Sequence, residues 1–373
     1  MKIQNDAYPN FNPYQPSGQV WMPSYDIRGV REWPWAKVQA LGKEIIQWFR
    51  AIGTVKFYYP EFIGANVNYR QKMRIFYRQR FELKKLCARP EEHFQTGWTY
   101  AGAETSTFSS GGGADPKERF FYTAYDYPIK HQTPYAKYLF FDKVIPDISG
   151  WREAAEEWDH NIRIVRADVC HLIDAGLGWE QGTSEEFTKN APHLAASTYA
   201  RFTPEFCMPG AEAAVRHWDL NYCSYHIESD FEGLYGQTGF GYWYPCDLER
   251  GWVAAQPAFQ LFYRTAGYIP YVPHMVIVDE RKRAQINRGI ETGEYVDRTV
   301  NQHFQHGDLD QDMEPSRKFI TNEMDEKRFP RVRVGSFVMR TLQNIGLGAY
   351  KNDPIAQELI HQADCIDQYA QAA

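Results

Sequence analysis

The sequence is short of the features that mark several common classes of protein. Its six cysteines are scattered and include no Cys-x-x-Cys pair, which argues against a zinc ribbon and a dense disulfide framework. The formal net charge is −6, whereas a nucleic-acid-binding protein needs a basic face. No stretch approaches the roughly 18 apolar residues of a membrane-spanning helix, and the N-terminus carries no apolar signal segment. These absences predict a cytoplasmic protein with reduced thiols that binds neither nucleic acid nor membrane.

Aromatic residues, by contrast, are abundant. Phe, Trp and Tyr make up 16% of the 373 residues, within an apolar fraction of 43%. Such a chain is long enough to bury a sizeable core. Aromatic side chains favour β-strands and suit a pocket for a small organic substrate, although most of them pack in cores.

Helical patterns precede strand-like patterns along the chain. Residues 1–34 are rich in Pro, Asn and Tyr and are expected to form an extended arm. Apolar residues repeat at helical spacing after Ala36, and a single apolar stripe over residues 151–177 predicts a long support helix. From about residue 194, short aromatic and β-branched runs alternate with Gly and Pro, and they predict strands at Ser197–Phe202, Asn221–Ile227, Gly241–Tyr244, Phe259–Tyr263 and Met275–Val278. This order predicts an α+β fold in which N-terminal helices buttress a jelly-roll core.

Three His-x-Asp/Glu triplets are present, beginning at His217, His226 and His306. Their letters alone do not single one out, because 11 His and 47 acidic residues produce such triplets by chance. The first triplet lies between strand-like runs, and residues i and i+2 at a strand end point to the same face. Together with His274 it would give a triad, His217, Asp219 and His274. Two imidazoles and one carboxylate can occupy one face of an octahedral Fe(II), leaving positions for O2 and a substrate.

The residues leave other interpretations open. The two histidines of the triad could be structural, with Asp219 capping a turn. The triplet His226-Ile-Glu228 has the same spacing but no obvious third ligand, and it is more typical of a packed strand. The cluster His303, His306, Asp308, Asp310 and Asp312 could bind a divalent ion. A calcium loop requires Gly at its sixth position, however, and this cluster lacks it, so a solvated polar loop is the simpler interpretation.

The order of these motifs resembles the isopenicillin N synthase-like superfamily of 2-oxoglutarate- and Fe(II)-dependent oxygenases. The block His217-Trp-Asp219 is followed by Gly233-Leu234, by Gly241-Tyr-Trp243 and by Pro273-His274, in the family's order. Upstream, Asp115-Pro-Lys-Glu-Arg-Phe120 is similar to the family's Asp-x-Lys-Glu-x-Phe block. The resemblance covers roughly residues 20–285. It implies a double-stranded β-helix in which the triad binds Fe(II).

The same resemblance implies 2-oxoglutarate as the co-substrate and O2 as the oxidant. The family's Arg-x-Ser motif, which holds the far carboxylate of 2-oxoglutarate, is matched by Arg283-Ala-Gln285, with Gln in place of Ser. A guanidinium binds a carboxylate through two parallel hydrogen bonds, so Arg is the more important half of the motif. Tyr199 and Arg201 lie where the family places polar residues of the co-substrate pocket. The basic run that contains Arg283 could equally be a solvated charge cluster.

The resemblance therefore implies a non-haem Fe(II) oxygenase that oxidises a C–H bond of a small organic substrate by hydroxylation, desaturation or cyclisation. No catalytic residue is predicted beyond the metal ligands. The oxygenase domain is expected over residues 35–285, and residues 286–373 are expected to extend it as a lid or an oligomer contact. Two alternatives stay open at this point. One is an Fe(II) oxidase or cyclase of the same fold that does not use 2-oxoglutarate, and the other is a non-catalytic β-sandwich binding protein.

Overall fold

Two β-sheets and a layer of helices organise the chain in the computed structural model. The structure describes residues 8–9, 19–20, 22–103, 117–124, 133–201, 212–229, 233–238, 243–246, 248–277, 283–293, 297–344, 347 and 350–366. Half of the arm expected over residues 1–34 lies outside these ranges, and its described part includes the strand Ser24–Tyr25, which pairs with the strand Val55–Tyr58. The mixture of helices and multi-stranded sheets that the sequence predicts is confirmed.

Eleven α-helices are found in the described part of the chain. They are α1 (Trp35–Ala51), α2 (Ile63–Tyr77), α3 (Phe81–Lys85), α4 (Ala136–Leu139), α5 (Trp151–Leu177), α6 (Thr183–Thr188), α7 (Phe259–Arg264), α8 (Arg283–Thr292), α9 (Glu323–Arg328), α10 (Val334–Asn344) and α11 (Pro354–His361). None of the described helices is both long and apolar enough to cross a membrane.

The strands of the same described ranges are mostly short. They are β1 (Tyr8–Pro9), β2 (Gln19–Val20), β3 (Ser24–Tyr25), β4 (Val55–Tyr58), β5 (Gly97–Thr99), β6 (Glu118–Tyr122), β7 (Leu194–Arg201), β8 (Glu212–His217), β9 (Cys223–Ile227), β10 (Leu234–Gln237), β11 (Trp243–Pro245), β12 (Trp252–Pro257), β13 (His274–Ile277), β14 (Asp297–Gln305), β15 (Asp312–Met313) and β16 (Val332–Arg333).

Most of these strands belong to two sheets. The larger sheet has the order β3-β4-β12-β9-β14-β7-β6-β5, and the smaller has the order β11-β10-β13-β8. All pairings within them are antiparallel except that of β3 with β4. Six of the ten pairings within the two sheets join strands that are not consecutive in the chain, so each sheet is assembled from distant parts of the chain.

The long helix α5 supports the larger sheet from behind. Its apolar stripe, which includes Trp151, Trp158 and Ile162, is fully buried, as its sequence pattern predicts. Helices α1 and α2 both pack on α5. Helices α1 and α5 approach each other so closely at Gly42 that a Cβ there would lie 2.6 Å from the Leu172 carbonyl oxygen. Only glycine, which has no Cβ, fits at this position.

Two sequence expectations differ from the observed elements. The run Phe259–Tyr263, expected to be a strand, is helix α7, because a short apolar run of this kind fits either state. The core also continues past the boundary expected at residue 285. Strand β14 lies between β9 and β7 near the middle of the larger sheet, so residues 297–305 are part of the core.

Candidate metal centre

The pairing of β8 with β13 brings two predicted ligands together. His217, the last residue of β8, is the cross-strand partner of His274, the first residue of β13. Their ring centroids are 4.3 Å apart. Asp219 follows β8 by two residues, and its carboxylate oxygens each lie 3.9 Å from one imidazole, Oδ1 from His217 Nε2 and Oδ2 from His274 Nε2. One ligand atom from each residue therefore falls within 4.8 Å of the others.

The loop that carries Asp219 is fixed by backbone hydrogen bonds to α7. The Phe259 N–H donates to the Asp219 carbonyl at 3.1 Å, and the Gln260 N–H donates to the Asn221 carbonyl at 3.0 Å. The Ser224 hydroxyl donates to Asp219 Oδ2 at 2.5 Å and so orients the carboxylate. Since α7 provides these contacts, the short helix that replaces the expected strand is part of the site.

The tautomer of His274 suits metal binding. Its Nδ1 lies 3.3 Å from the Val272 carbonyl oxygen, which accepts a hydrogen bond when Nδ1 is protonated. The lone pair then resides on Nε2, the atom that faces Asp219. Such a partner on the far ring nitrogen is the usual way in which proteins orient a histidine ligand. Two imidazole nitrogens and one carboxylate oxygen are the donor set that Fe(II) oxygenases use, so these residues fit Fe(II).

The electrostatics of the site favour an ionised carboxylate and neutral imidazoles nearby. Burial alone would raise the pKa of the Asp219 carboxyl, but the three imidazoles around it and the Ser224 hydrogen bond lower its pKa below the usual value. Burial, together with the neighbouring His274, lowers the pKa of His226 to about 3. Burial also lowers the pKa of His306 to about 4, although Asp219 opposes this effect. Both imidazoles are therefore neutral at pH 7.

The triad opens into a cavity between the two sheets. The smaller sheet lines it with Ala214, His217, Leu234, His274 and Val276. The larger sheet and its strand ends line it with Lys117, Arg119, Phe121, Leu194, Thr198, Arg298, Gln302, Phe304 and His306. Its remaining walls are formed by Asp219 and its loop neighbours and by Gln95, Leu139, Pro192, Val338, Thr341, Leu342 and Leu347.

Three of the four residues predicted to bind the co-substrate, Tyr199, Arg201 and Gln285, are not among the described residues that line this cavity. The Tyr199 hydroxyl donates to Asp297, and its ring stacks on Tyr77, behind the larger sheet. Arg201 is exposed at the end of β7, and Gln285 is exposed on α8. Arg283 begins α8, and its side chain lies outside the described part of the structure.

Sequence reasoning missed the polar residues of β14 that do line the cavity. Arg298 and Gln302 lie on its cavity face, and Arg298 is only 5% exposed. Gln302 Nε2 is 2.7 Å from His226 Nδ1, and the His226 ring lies 5.3 Å from that of His274. The alternation of residues 297–305 was a usable signal, but helix α8 separates this strand from the distal histidine and hid its relation to the triad.

The other acidic and histidine clusters do not converge on a site in the described structure. His226 lies inside the sheet, whereas Glu228 faces Arg70, whose Nη1 is 3.5 Å from Glu228 Oε1. His303 points behind the sheet and stacks on His193, while His306 faces the cavity. Asp308 accepts a hydrogen bond from the Asn190 side chain. The two histidines of the cluster from His303 to Asp312 therefore point to opposite faces of the larger sheet.

Comparisons with known proteins agree with this architecture. No family model and no curated protein matches the sequence. Among solved structures, a full-length Neurospora crassa protein in complex with alpha-KG is similar at 14% identity and a TM-score of 0.70, covering 91% of this chain and 100% of that one. A protein from Caulobacter crescentus assigned to the 2OG-Fe(II) oxygenase family is similar at 18% identity and a TM-score of 0.67, with 86% and 97% covered.

A plant structure is similar as well. The dioxygenase for auxin oxidation 1 from Arabidopsis thaliana, in complex with 2-oxoglutarate, matches at 16% identity and a TM-score of 0.59. The match covers 81% of this chain and 98% of that one. The chain therefore has the fold of the 2-oxoglutarate- and Fe(II)-dependent oxygenases, as the order of its motifs implied.

Proposed function

We propose that the protein is a non-haem Fe(II)- and 2-oxoglutarate-dependent oxygenase that oxidises a C–H bond of a small organic substrate. The observation that carries this proposal is the convergence of His217, Asp219 and His274 at a cavity between two sheets. Strand orders β11-β10-β13-β8 and β12-β9-β14-β7 support a double-stranded β-helix as the core of this fold. The oxygenase domain then reaches from residue 35 to at least residue 305.

The protein's side chains would hold the metal and orient its ligands. The triad would hold Fe(II), and the bound metal with 2-oxoglutarate and O2 would supply the oxidising chemistry. Ser224 keeps the Asp219 carboxylate in one orientation, and the Val272 carbonyl does the same for the His274 ring. The buried pair of His226 and Gln302 packs behind His274 and contributes no charge, because His226 is neutral.

Arg298 is the better candidate for holding the far carboxylate of 2-oxoglutarate. Arg298 lines the same cavity as the triad, whereas Gln285 of the predicted motif is exposed. Arg298 and Gln302 are four positions apart along β14, which is a distance of about 13 Å in a strand. A five-carbon dicarboxylate and an arginine side chain together bridge such a distance. The presence of this buried cation favours use of 2-oxoglutarate over the alternative that relies on O2 alone.

The C-terminal part of the chain would cover one side of the substrate cavity. Val338 and Leu342 of α10, together with Leu347, line the cavity and are nearly fully buried. Stacked rings connect α10 to the metal loop, since Phe337 stacks on Phe259 at 4.7 Å and Phe259 stacks on Trp218 at 4.9 Å. The Neurospora crassa protein has been crystallised with alpha-KG and thymine. A small molecule with an apolar body would suit this cavity.

The test of the proposal is oxidation of 2-oxoglutarate by the purified protein. With Fe(II), O2 and 2-oxoglutarate, the wild type should form succinate, whereas Asp219→Ala should form none and should lose its iron. Asp147→Ala, at an exposed position, is the matched control and should behave as the wild type. Asp308→Asn should also keep its iron, because the proposal does not place the metal in the cluster from His303 to Asp312. Failure of the wild type to bind iron, or equal iron binding by Asp219→Ala, would favour the non-catalytic binding protein.

A further inference from the structure

The cavity carries two cations besides Arg298. Lys117 and Arg119 line it, and both are partly buried. They alternate with Glu118, whose side chain points to the other face of β6. There Glu118 Oε2 accepts hydrogen bonds from Lys84 Nζ at 2.5 Å and from Trp98 Nε1 at 2.7 Å. Among the described lining residues, the one carboxylate is Asp219, which belongs to the triad.

Strand register places these cations beside the proposed path of 2-oxoglutarate. Arg119 is the cross-strand partner of Thr198 on β7, and Thr198 is the partner of Val300 on β14. Strands β6 and β14 therefore flank β7, and two strand spacings separate them by about 10 Å. Arg298 therefore lies on the β14 side of the cavity, and Lys117 and Arg119 lie on the β6 side.

Further along the β6 side, the lining becomes apolar. Phe121 follows Arg119 by two residues, and the Arg119 guanidinium lies 4.2 Å from the Phe121 ring centroid. The Phe121 ring is in edge contact with Phe304 at 6.0 Å, and Leu139 lines the same cavity. A ligand on this side would meet cationic groups at one end and apolar groups at the other.

We infer that the substrate is an organic oxyanion with an apolar body, and that Lys117 and Arg119 bind its carboxylate, phosphate or sulfate group. A guanidinium offers two parallel donors to an oxyanion, and a nearby ammonium adds a point charge. The apolar body of the substrate would extend from Phe121 towards the metal triad. The inference rests on the proposed function, because it assigns the β14 side of the cavity to 2-oxoglutarate.

The experiment is anaerobic calorimetric titration of the Fe(II)–2-oxoglutarate complex with three probes of similar size. They are phenylacetate, phenyl phosphate and the neutral phenylacetamide. The wild type should bind at least one of the two anions at least tenfold more tightly than the amide, and the stronger anion shows which oxyanion is preferred. Lys117→Gln and Arg119→Gln should each reduce this preference severalfold while changing the Kd of 2-oxoglutarate by less than twofold.

Two further variants act as controls. Arg119→Lys keeps the positive charge and should retain most of the preference, which keeps the test valid if Arg119→Gln folds poorly. Lys85→Gln removes a cation from the exposed face of α3 and should change nothing. The inference is overturned if the wild type prefers neither anion, or if Lys117→Gln and Arg119→Gln leave the preference intact. It is also overturned if these substitutions weaken the binding of 2-oxoglutarate instead. Absence of the iron–2-oxoglutarate complex itself would instead overturn the proposed function.

Discussion

At the scale of single residues, Ser224 holds the carboxylate of the triad. Its hydroxyl donates to Asp219 Oδ2 at 2.5 Å, and it accepts a hydrogen bond from Asn221 Nδ2 at 3.1 Å. The hydrogen bond is one of the influences that lower the pKa of Asp219 against the effect of burial. A neutral hydroxyl therefore supports both the charge and the orientation of a proposed metal ligand.

Replacement of Ser224 by Ala should weaken iron binding without abolishing it. The Asp219 pKa should rise, and its carboxylate should lose its fixed orientation, so that the affinity for Fe(II) falls about tenfold, at the lower end of the effects of such supporting residues. Anaerobic Fe(II) titration measures the change, with the exposed Ser149→Ala as the matched control. An unchanged affinity in Ser224→Ala would mean that the loop holds Asp219 without this hydrogen bond.

The sequence was most informative about the residues of the triad. The positions of His217, Asp219 and His274 follow from the order of motifs, and the structure brings these three side chains together. The co-substrate residues could not be found in the same way. The sequence does not show which face of β7 meets the cavity, and a one-residue difference along a strand reverses the side to which a side chain such as that of Tyr199 points.

At the scale of elements, β14 divides its side chains between two tasks. Arg298, Gln302 and Phe304 line the cavity. On the opposite face, the Asn301 side chain donates to Asn66 Oδ1 of α2 at 3.1 Å, and His303 lies beside Trp158 of α5. One strand thus anchors the helical layer and forms part of the site.

This division gives a test of which arginine binds 2-oxoglutarate. Arg298→Gln should raise the Kd of 2-oxoglutarate about 10- to 100-fold, since hydrogen bonds to charged groups contribute about 1.5–3 kcal/mol. It should leave the affinity for Fe(II) nearly unchanged, because Arg298 is not a metal ligand. Arg283→Gln is the matched variant at the residue that the motif predicts. If Arg283→Gln weakens the binding of 2-oxoglutarate and Arg298→Gln does not, the assignment of the 2-oxoglutarate carboxylate to Arg298 is wrong.

Elements were predictable where a pattern was long. The stripe of α5 extends over 27 residues and predicted the helix closely. The five-residue run Phe259–Tyr263 is too short to separate helix from strand, and its state is fixed by hydrogen bonds to the metal loop that are not visible in sequence. Helix α8, inserted between β13 and β14, had no motif by which it could be recognised as an insertion.

At the scale of the whole molecule, the site joins distant parts of the chain. Its proposed metal ligands come from β8, β13 and the loop after β8, and its walls include residues from β6, β14 and α10. Stacked rings from Trp218 through Phe259 to Phe337 link the metal loop to the C-terminal helices. Metal binding should therefore stabilise the folded chain as a whole.

Iron should accordingly raise the unfolding temperature of the protein. At a free Fe(II) concentration about 100 times its Kd, binding to the folded state adds about 2.7 kcal/mol. For 373 residues, with an unfolding entropy of about 2.1 cal/mol/K per residue, this corresponds to an increase in Tm of roughly 3 °C. Anaerobic scanning calorimetry with and without Fe(II) measures it. Asp219→Ala should show no increase, and an equal increase in that variant would indicate metal binding elsewhere.

The most direct test of the central claim is an anaerobic Fe(II) titration followed by addition of 2-oxoglutarate, monitored by visible absorption. The triad predicts one iron per chain, and the cavity with Arg298 predicts the charge-transfer band of 2-oxoglutarate chelated to Fe(II). Asp219→Ala should give neither. Stoichiometric iron without the band would contradict the use of 2-oxoglutarate, and failure to bind iron at all would contradict the oxygenase assignment.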